Sequence, residues 1–243
     1  QPVWDDLMVD WTDFDAVLIR TTWDYTDRRD RYLRWAEGVP RLFNSAEVVR
    51  WNTHKSYLRR LAPQHIAPTT WLSQGQDFDL RALRGTHFIK PQVGSSARET
   101  LRFEPGDPKA QAWLDRLLAV EDVMVQPYLA RVETEGEVSA IVIDGVISHR
   151  VRKIPNPGDF RVQDDYGARD EPTAFTYAQE RVVREVLQRL PSELLYARVD
   201  LLALDDGTPV VTEVELVEPS LFFRHAPQAA DALAEALLRR CAG

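Results

Sequence analysis

Arg198, Asp200, Glu213 and Glu215 recur at two-residue spacing on either side of Asp206-Gly207, within RVDLLALDDGTPVVTEVELVEPS (198–220). Asp-Gly favours a two-residue hairpin loop, which needs positive φ at both central positions. That loop sets Asp205 opposite Thr208, Asp200 opposite Glu213 and Arg198 opposite Glu215. Because side chains alternate along a strand, all four groups of the outer pairs share one face. Val199, Leu201, Ala203, Val210, Thr212, Val214 and Leu216 take the other, mostly apolar face. Three carboxylates so placed repel, since facing Cβ atoms are about 4.5–5.5 Å apart. Arg198 offsets one charge. A hard divalent cation with oxygen ligands would offset the rest, and a solvated acidic face is the other reading. A three-residue loop would shift the register by one and spoil the Asp200–Glu213 pairing.

Other chemistry-bearing residues lie upstream. THFIKP reads as a strand ending in Lys90-Pro91, followed by Gly94, Ser95 and Ser96 and then an alternating strand, Ala97–Phe103. This is strand–loop–strand, so it is not a Walker P-loop. A small Gly/Ser loop can still turn its N–H groups toward phosphates, and it can equally be an ordinary turn. Thr53–Ala62 reads as a helix capped by Thr53, with Lys55 in its first turn, where a cation opposes the helix dipole unless it reaches an anion. Arg20-Thr21-Thr22-Trp23-Asp24-Tyr25 follows the carboxyl end of the strand Ala16–Arg20, where open α/β sheets place ligands; a capped turn explains it as well. Taken locally, Lys153 and Arg161 are solvated charge. The five histidines show no metal-ligand spacing, and no Ser–His or Cys–His constellation stands out.

The elements that must hold these groups alternate between strand and helix. Expected helices are Asp27–Glu37, Ala46–Trp51 with Ser45 as N-cap, Asp77–Leu83, Asp107–Glu121, Thr173–Leu190 and Ala229–Cys241. Further expected strands are Pro40–Asn44, Thr69–Leu72, Asp122–Gln126, Glu137–Ile143 and Val146–Ile154. The 243 residues can bury one large core or two smaller ones around a cleft. A net charge of −8 argues against broad nucleic-acid or anionic-membrane binding. One cysteine, Cys241, rules out an intrachain disulfide and fits a reducing cytoplasm. Six of the seven tryptophans fall in the first 71 residues, which points to a separate N-terminal unit. An α/β unit of that kind usually has an earlier βα element, so native sequence is expected before Gln1 unless the unit is trimmed.

In their order along the chain these segments resemble the ATP-grasp superfamily, in the branch of glutathione synthetases and D-alanine–D-alanine ligases. Phe88-Ile89-Lys90-Pro91 with Gly94-Ser95-Ser96 is similar to its lysine strand and lid, Val125-Gln126-Pro127-Tyr128-Leu129 to its adenine hinge, and Gly136-Glu137 to its ribose acid. Arg198-Val199-Asp200 and Thr212-Glu213-Val214-Glu215 resemble its paired metal strands. The resemblance implies an α/β (α+β) fold in which two subdomains grip ATP. Their ranges would be 53–130 and 131–243, after a pre-grasp unit at 1–52. It implies ATP contacts at Lys55, Lys90, Gly94, Ser95, Ser96, Gln126, Pro127, Tyr128, Leu129 and Glu137. Lys153 and Arg161 would face the γ-phosphate, and Arg198 would stabilise an oxyanion. Asp200, Glu213 and Glu215 would carry Mg²⁺, with Mn²⁺ able to substitute. The implied reaction joins a small-molecule carboxylate to an amine through an acylphosphate. A weakly catalytic ATP-binding module and a kinase-like phosphotransferase are the alternatives. No nucleic-acid or membrane partner is implied, and a homodimer is left open.

Two positions depart from the pattern: Glu215 stands where the family often has Asn, and Pro219-Ser220 where Pro-Gly is commoner. The Arg20–Tyr25 loop, with Trp51-Asn52 and Lys55, is similar to a subgroup that includes the cycloserine-forming ligase. That similarity implies substrate contacts at Arg20, Thr22, Asp24, Tyr25 and Ser220, and a bond that could close a ring.

Overall fold

The computed structural model describes residues 2–61, 65–95, 97–162 and 166–242. Ser96, one of the expected lid residues, lies outside them. The first unit has two parallel strands, β1 (Val17–Leu18) and β2 (Leu42–Phe43), connected through α1 (Arg29–Gly38) and followed by α2 (Ala46–Asn52). Its core is aromatic: Trp4, Tyr25, Tyr32 and Trp35 pack ring on ring, with Tyr25 stacked on Tyr32 at 5.0 Å. Ser45 caps α2 by accepting from the Val48 N–H.

Next come β3 (Thr70–Leu72), β4 (His87–Pro91), β5 (Leu101–Phe103), α3 (Pro108–Leu118) and β6 (Val123–Pro127). The strands form an antiparallel sheet in the order β3-β6-β4-β5, covered by the apolar side of α3 through Ala110, Leu114 and Leu117. The remaining elements are α4 (Val132–Glu135), β7 (Glu137–Ile143), β8 (Val146–Ile154), β9 (Arg169–Pro172), α5 (Tyr177–Leu187), β10 (Tyr196–Ala203), β11 (Pro209–Glu215) and α6 (Gln228–Cys241). Their sheet runs β11-β10-β7-β8-β9, with every neighbour antiparallel. Alternate residues of β10 serve opposite sides. Ala197, Val199 and Leu201 pack with Val182, Val183 and Val186 of α5, while Tyr196 joins Leu233 and Ala236 of α6.

Several expected elements are shorter or differently placed. Thr53 continues α2, its N–H bonding to the Val49 carbonyl, and His54 caps a short 3₁₀ turn over Lys55–Arg60 instead of a longer helix. Tyr57, Leu58 and Leu61 of that stretch pack against the five-stranded sheet. Ala97 and Glu99 adopt left-handed backbone angles, so the strand expected from Ala97 starts only at Leu101. The helix expected from Thr173 begins after Thr176, where a reciprocal capping box with Gln179 satisfies two free donors. Residues 169–172 before it pair with β8 as β9, an edge strand too charged to stand out in the sequence. The helix expected over Asp77–Leu83 is a single turn, Leu80–Ala82, capped by Asp79.

The hairpin of β10 and β11 departs most instructively. Leu204, not Asp205, faces Thr208, and Gly207 but not Asp206 has positive φ, so the loop holds three residues. Near the turn the register is therefore shifted by one, with Leu201 opposite Val211. A β-bulge at Thr212 then absorbs the extra residue, and Asp200 meets Glu213 and Arg198 meets Glu215 after all. The acidic pairing survives because two one-residue errors cancel.

Candidate active site

A cleft of about 430 Å³ opens between the four-stranded and five-stranded sheets. Cross-strand pairing sets its polar wall. Glu137 lies beside Lys153 across β7 and β8, Ser139 beside Asp200 across β7 and β10, and Asp200 beside Glu213 across β10 and β11. The carboxylates of Asp200, Glu213 and Glu215 converge, with one oxygen of each within 4.8 Å of the others. Arg198 clamps two of them. Its Nε lies 3.0 and 3.1 Å from the Asp200 oxygens, its Nη2 lies 2.9 Å from Asp200 Oδ2, and Nη2 also pairs with Glu215. Ser139 Oγ donates to Asp200 Oδ1 at 2.6 Å. Lys153 pairs with Glu137 and lies 3.4 Å from Asp200. Lys55 pairs with Glu213 and donates to the Gly94 carbonyl at 3.0 Å, which ties the glycine loop to the acidic strand.

Charge and burial oppose each other throughout this wall. Burial alone would raise Asp200, but Arg198 and Lys153 outweigh it and hold the carboxyl well below its ordinary range. At Glu215 burial, then repulsion from Glu213 and Asp200, outweighs Arg198 and pushes the carboxyl upward. Glu137 is also raised, by burial and then by Asp200, despite Lys153. Four carboxyls, Glu137, Asp200, Glu213 and Glu215, thus share three paired cations, Lys55, Lys153 and Arg198. An all-oxygen set of three carboxylates with excess charge fits a hard divalent ion such as Mg²⁺. Lys90 is the converse: burial lowers its ammonium, and its polar contact is the Gln126 side-chain oxygen at 3.2 Å. Among the described residues it has no carboxylate within salt-bridge reach, which suits an arriving anion.

Every described residue expected to touch ATP or metal lines this cleft, from Lys55, Lys90, Gly94 and Ser95 through Gln126, Pro127, Tyr128, Leu129 and Glu137 to Asp200, Glu213 and Glu215. Lys153, Arg161 and Arg198 line it too. Lys153 is buried, so the local reading of it as solvated charge is corrected. Arg161 is held by Asp159 at 2.7 Å and lies over the Tyr166 ring. Of the five substrate-side residues, Tyr25 and Ser220 line the cleft. The structure does not bring the other three to its wall. Arg20 Nη2 donates to the Pro219 carbonyl at 2.9 Å, Thr22 bonds the Tyr32 hydroxyl at 2.8 Å, and Asp24 pairs with Arg28 and Trp4.

Sequence reasoning missed other lining residues. Phe88, Met124, Phe160 and Leu202 supply apolar surface, and Thr212 reaches the cleft only because of its bulge. Glu218 is missed as well, although a charged residue inside the apolar run LVEPSLFF was a visible signal.

Residues 58–223 match the model of the prokaryotic glutathione synthetase ATP-grasp domain. The chain belongs to the ATP-grasp family. This ATP-grasp protein is an ATP-dependent ligase of the kind that forms carbon–nitrogen bonds. Its residues 1–44 match the N-terminal domain of D-cycloserine synthetase DcsG. It is 33% identical over 264 residues to the cycloserine biosynthesis protein DcsG of Streptomyces lavendulae, covering 98% of this chain and 87% of the relative. The crystal structure of D-cycloserine synthetase DcsG superposes with a TM-score of 0.86 at 30% identity, covering 98% of this chain and 88% of the other. The ATP complex of D-alanine–D-alanine ligase from Bacillus anthracis gives 0.65 at 18% identity, over 95% and 81% of the two chains, a likeness of fold. A glutathione synthetase of Prochlorococcus marinus is 23% identical over 76% of this chain and 59% of its own length. No helix among the described residues is long and apolar enough to cross a membrane.

Proposed function

We propose that this ligase activates a carboxylate of a small amino-acid-like substrate as an acylphosphate and closes an amide-type bond with an amine, in a Mg²⁺-dependent reaction. The observation that carries the reading is the convergence of Asp200, Glu213 and Glu215 in one cleft with Lys55, Lys90, Lys153 and Arg198. Phosphoryl transfer asks mainly for positioning and charge neutralisation, which such a wall supplies. Asp200, Glu213 and Glu215 would hold Mg²⁺, with Mn²⁺ able to replace it; when bound, the ion neutralises triphosphate charge. Lys90 and Lys55 take phosphate oxygens, and Lys153 and Arg161 face the transferred group. Residues 126–129 hold the base and Glu137 the ribose. The substrate carboxylate attacks the γ-phosphorus, ADP leaves, and the amine displaces phosphate from the acyl carbon. Arg198 offsets the negative charge that develops on the carbonyl oxygen. The loop at Gly94 and Ser95 excludes water from the acylphosphate. We assign the ranges 1–52, 53–130 and 131–243 to the substrate-side unit and the two gripping subdomains.

The match to D-cycloserine synthetase along both the N-terminal unit and the grasp region supports ring closure within one substrate molecule. Incubation with Mg²⁺, ATP, pooled small amino acids and hydroxylamine tests the ligase. A hydroxamate with stoichiometric ADP is expected. A stable phosphorylated product, or ATP bound without turnover under every acid, overturns it.

A further inference from the structure

The chain leaving β11 is pinned by side chains. Asn52 Nδ2 donates to the Val214 carbonyl and its Oδ1 accepts from the Leu216 N–H, both at 2.8 Å. Asn44 Nδ2 donates to the Leu216 carbonyl at 2.8 Å, the Tyr196 hydroxyl to Val217 at 2.9 Å, and Arg20 Nη2 to Pro219 at 2.9 Å. This fixes the backbone on both sides of Glu218 and so fixes where its side chain starts. Glu218 is 7% exposed and lines the cleft, yet its carboxyl has no hydrogen-bond partner among the described residues. An enclosed polar group without a partner costs free energy that a ligand can recover.

Of the nearby cations, Lys55 is committed to Glu213 and Gly94 and Arg198 to Asp200 and Glu215, while Arg20 gives Nη2 to the Pro219 carbonyl and donates nothing to Glu218, its Nη1 being buried without a partner among the described residues. Glu218 is also not part of the metal-sized group formed by Asp200, Glu213 and Glu215. Burial, then the charge of Glu215, pushes its carboxyl up to about 8, so the surroundings disfavour a bare negative charge there. Tyr25 of the N-terminal unit lines the same cleft, its hydroxyl pushed up by burial and then by the charge of Glu218. What is missing at this wall is a donor of N–H bonds.

Resting on the ligase reading above, we propose that Glu218 walls a subsite for the amino group of the substrate, its carboxyl accepting N–H hydrogen bonds from a primary amine.

The test uses probe pairs that differ in the amino group: D-alanine against propionate, D-serine against 3-hydroxypropionate, and D-cycloserine against isoxazolidin-3-one. Each is titrated calorimetrically into the full chain holding ADP and Mg²⁺. Wild type is expected to bind at least one amine-bearing probe about tenfold or more tightly than its partner, the scale of a hydrogen bond to a charged group. Glu218→Leu brings that ratio to near one, and the isosteric Glu218→Gln gives an intermediate ratio. Unfolding midpoints report whether each variant is folded. A merely structural role weakens both members of a pair equally and leaves the ratio intact. A ratio unchanged in both variants overturns the subsite. So does a wild type that binds no amine-bearing probe or shows no preference. Failure of the ligase reading is seen separately, as ATP never split with any acid and hydroxylamine, and it leaves the binding ratio readable.

Discussion

Replacing Gly136 by alanine should unfold the chain early and disable it. Gly136 ends α4 with φ 73° and ψ −172°, a conformation open essentially to glycine alone. A Cβ there would sit 2.3 Å from the Lys153 carbonyl oxygen, 3.2 Å from its carbon and 3.3 Å from Arg152 Cγ. The backbone strain costs about 1–3 kcal/mol, and forcing the β8 backbone aside adds about 1–3 kcal/mol more. A central value of about 4 kcal/mol corresponds to about 8–16 °C in the unfolding midpoint of a chain this long. Gly145 provides the control, because it has a similar φ of 78° and nothing within 4 Å of its added Cβ. Gly145→Ala should lose only the backbone part, about 1–2 kcal/mol. The collision also moves Lys153, whose ammonium serves Glu137 and Asp200, so turnover should fall in Gly136→Ala and persist in Gly145→Ala. Urea and thermal unfolding with an ADP-release assay read both effects. Equal midpoint losses in the two variants would refute the steric reasoning.

The remaining predictions address the charged wall and the loop. Glu213→Gln should abolish turnover while ATP still binds weakly; full activity would reject its place at the phosphates. Arg198→Met should cost about 3–5 kcal/mol, because it removes the guanidinium shared by buried Asp200 and half-buried Glu215, and a urea midpoint equal to wild type would contradict the clamp. Limited proteolysis between Gly94 and Arg98 should slow when ATP and Mg²⁺ are added, and identical cleavage with and without them would remove the loop from the reaction.

How much was legible in the sequence varied with the kind of force involved. The acidic set could be placed because alternation on a strand is a strong constraint. Its register was derived through a two-residue loop that does not exist, and it holds only through the bulge at Thr212. A bulge has no compositional mark, so neither the correction nor the entry of Thr212 into the cleft was readable. Lys153 looked like surface charge because its environment is set by Glu137 and Asp200, distant in sequence and adjacent only after β7, β8 and β10 pair. The Arg20–Tyr25 loop reads in the sequence either as a group facing ligand or as a capped turn. Contacts with Pro219, Tyr32 and Trp4 instead hold Arg20, Thr22 and Asp24 off the cleft wall while Trp23 and Tyr25 line it, and that choice depends on partners up to 199 residues away.

The pins on residues 214–219 bear on how such a protein can be re-engineered. Three of the five side chains involved, Arg20, Asn44 and Asn52, belong to the stretch before residue 53, with Tyr57 and Tyr196 the other two, while the backbone they grip carries Glu215 and Glu218. On the roles proposed above, selectivity and phosphate chemistry are therefore not modular. A chimaera that borrows the front of another ligase to change what is joined would also loosen the acidic wall, unless those three residues travel with the graft as a set.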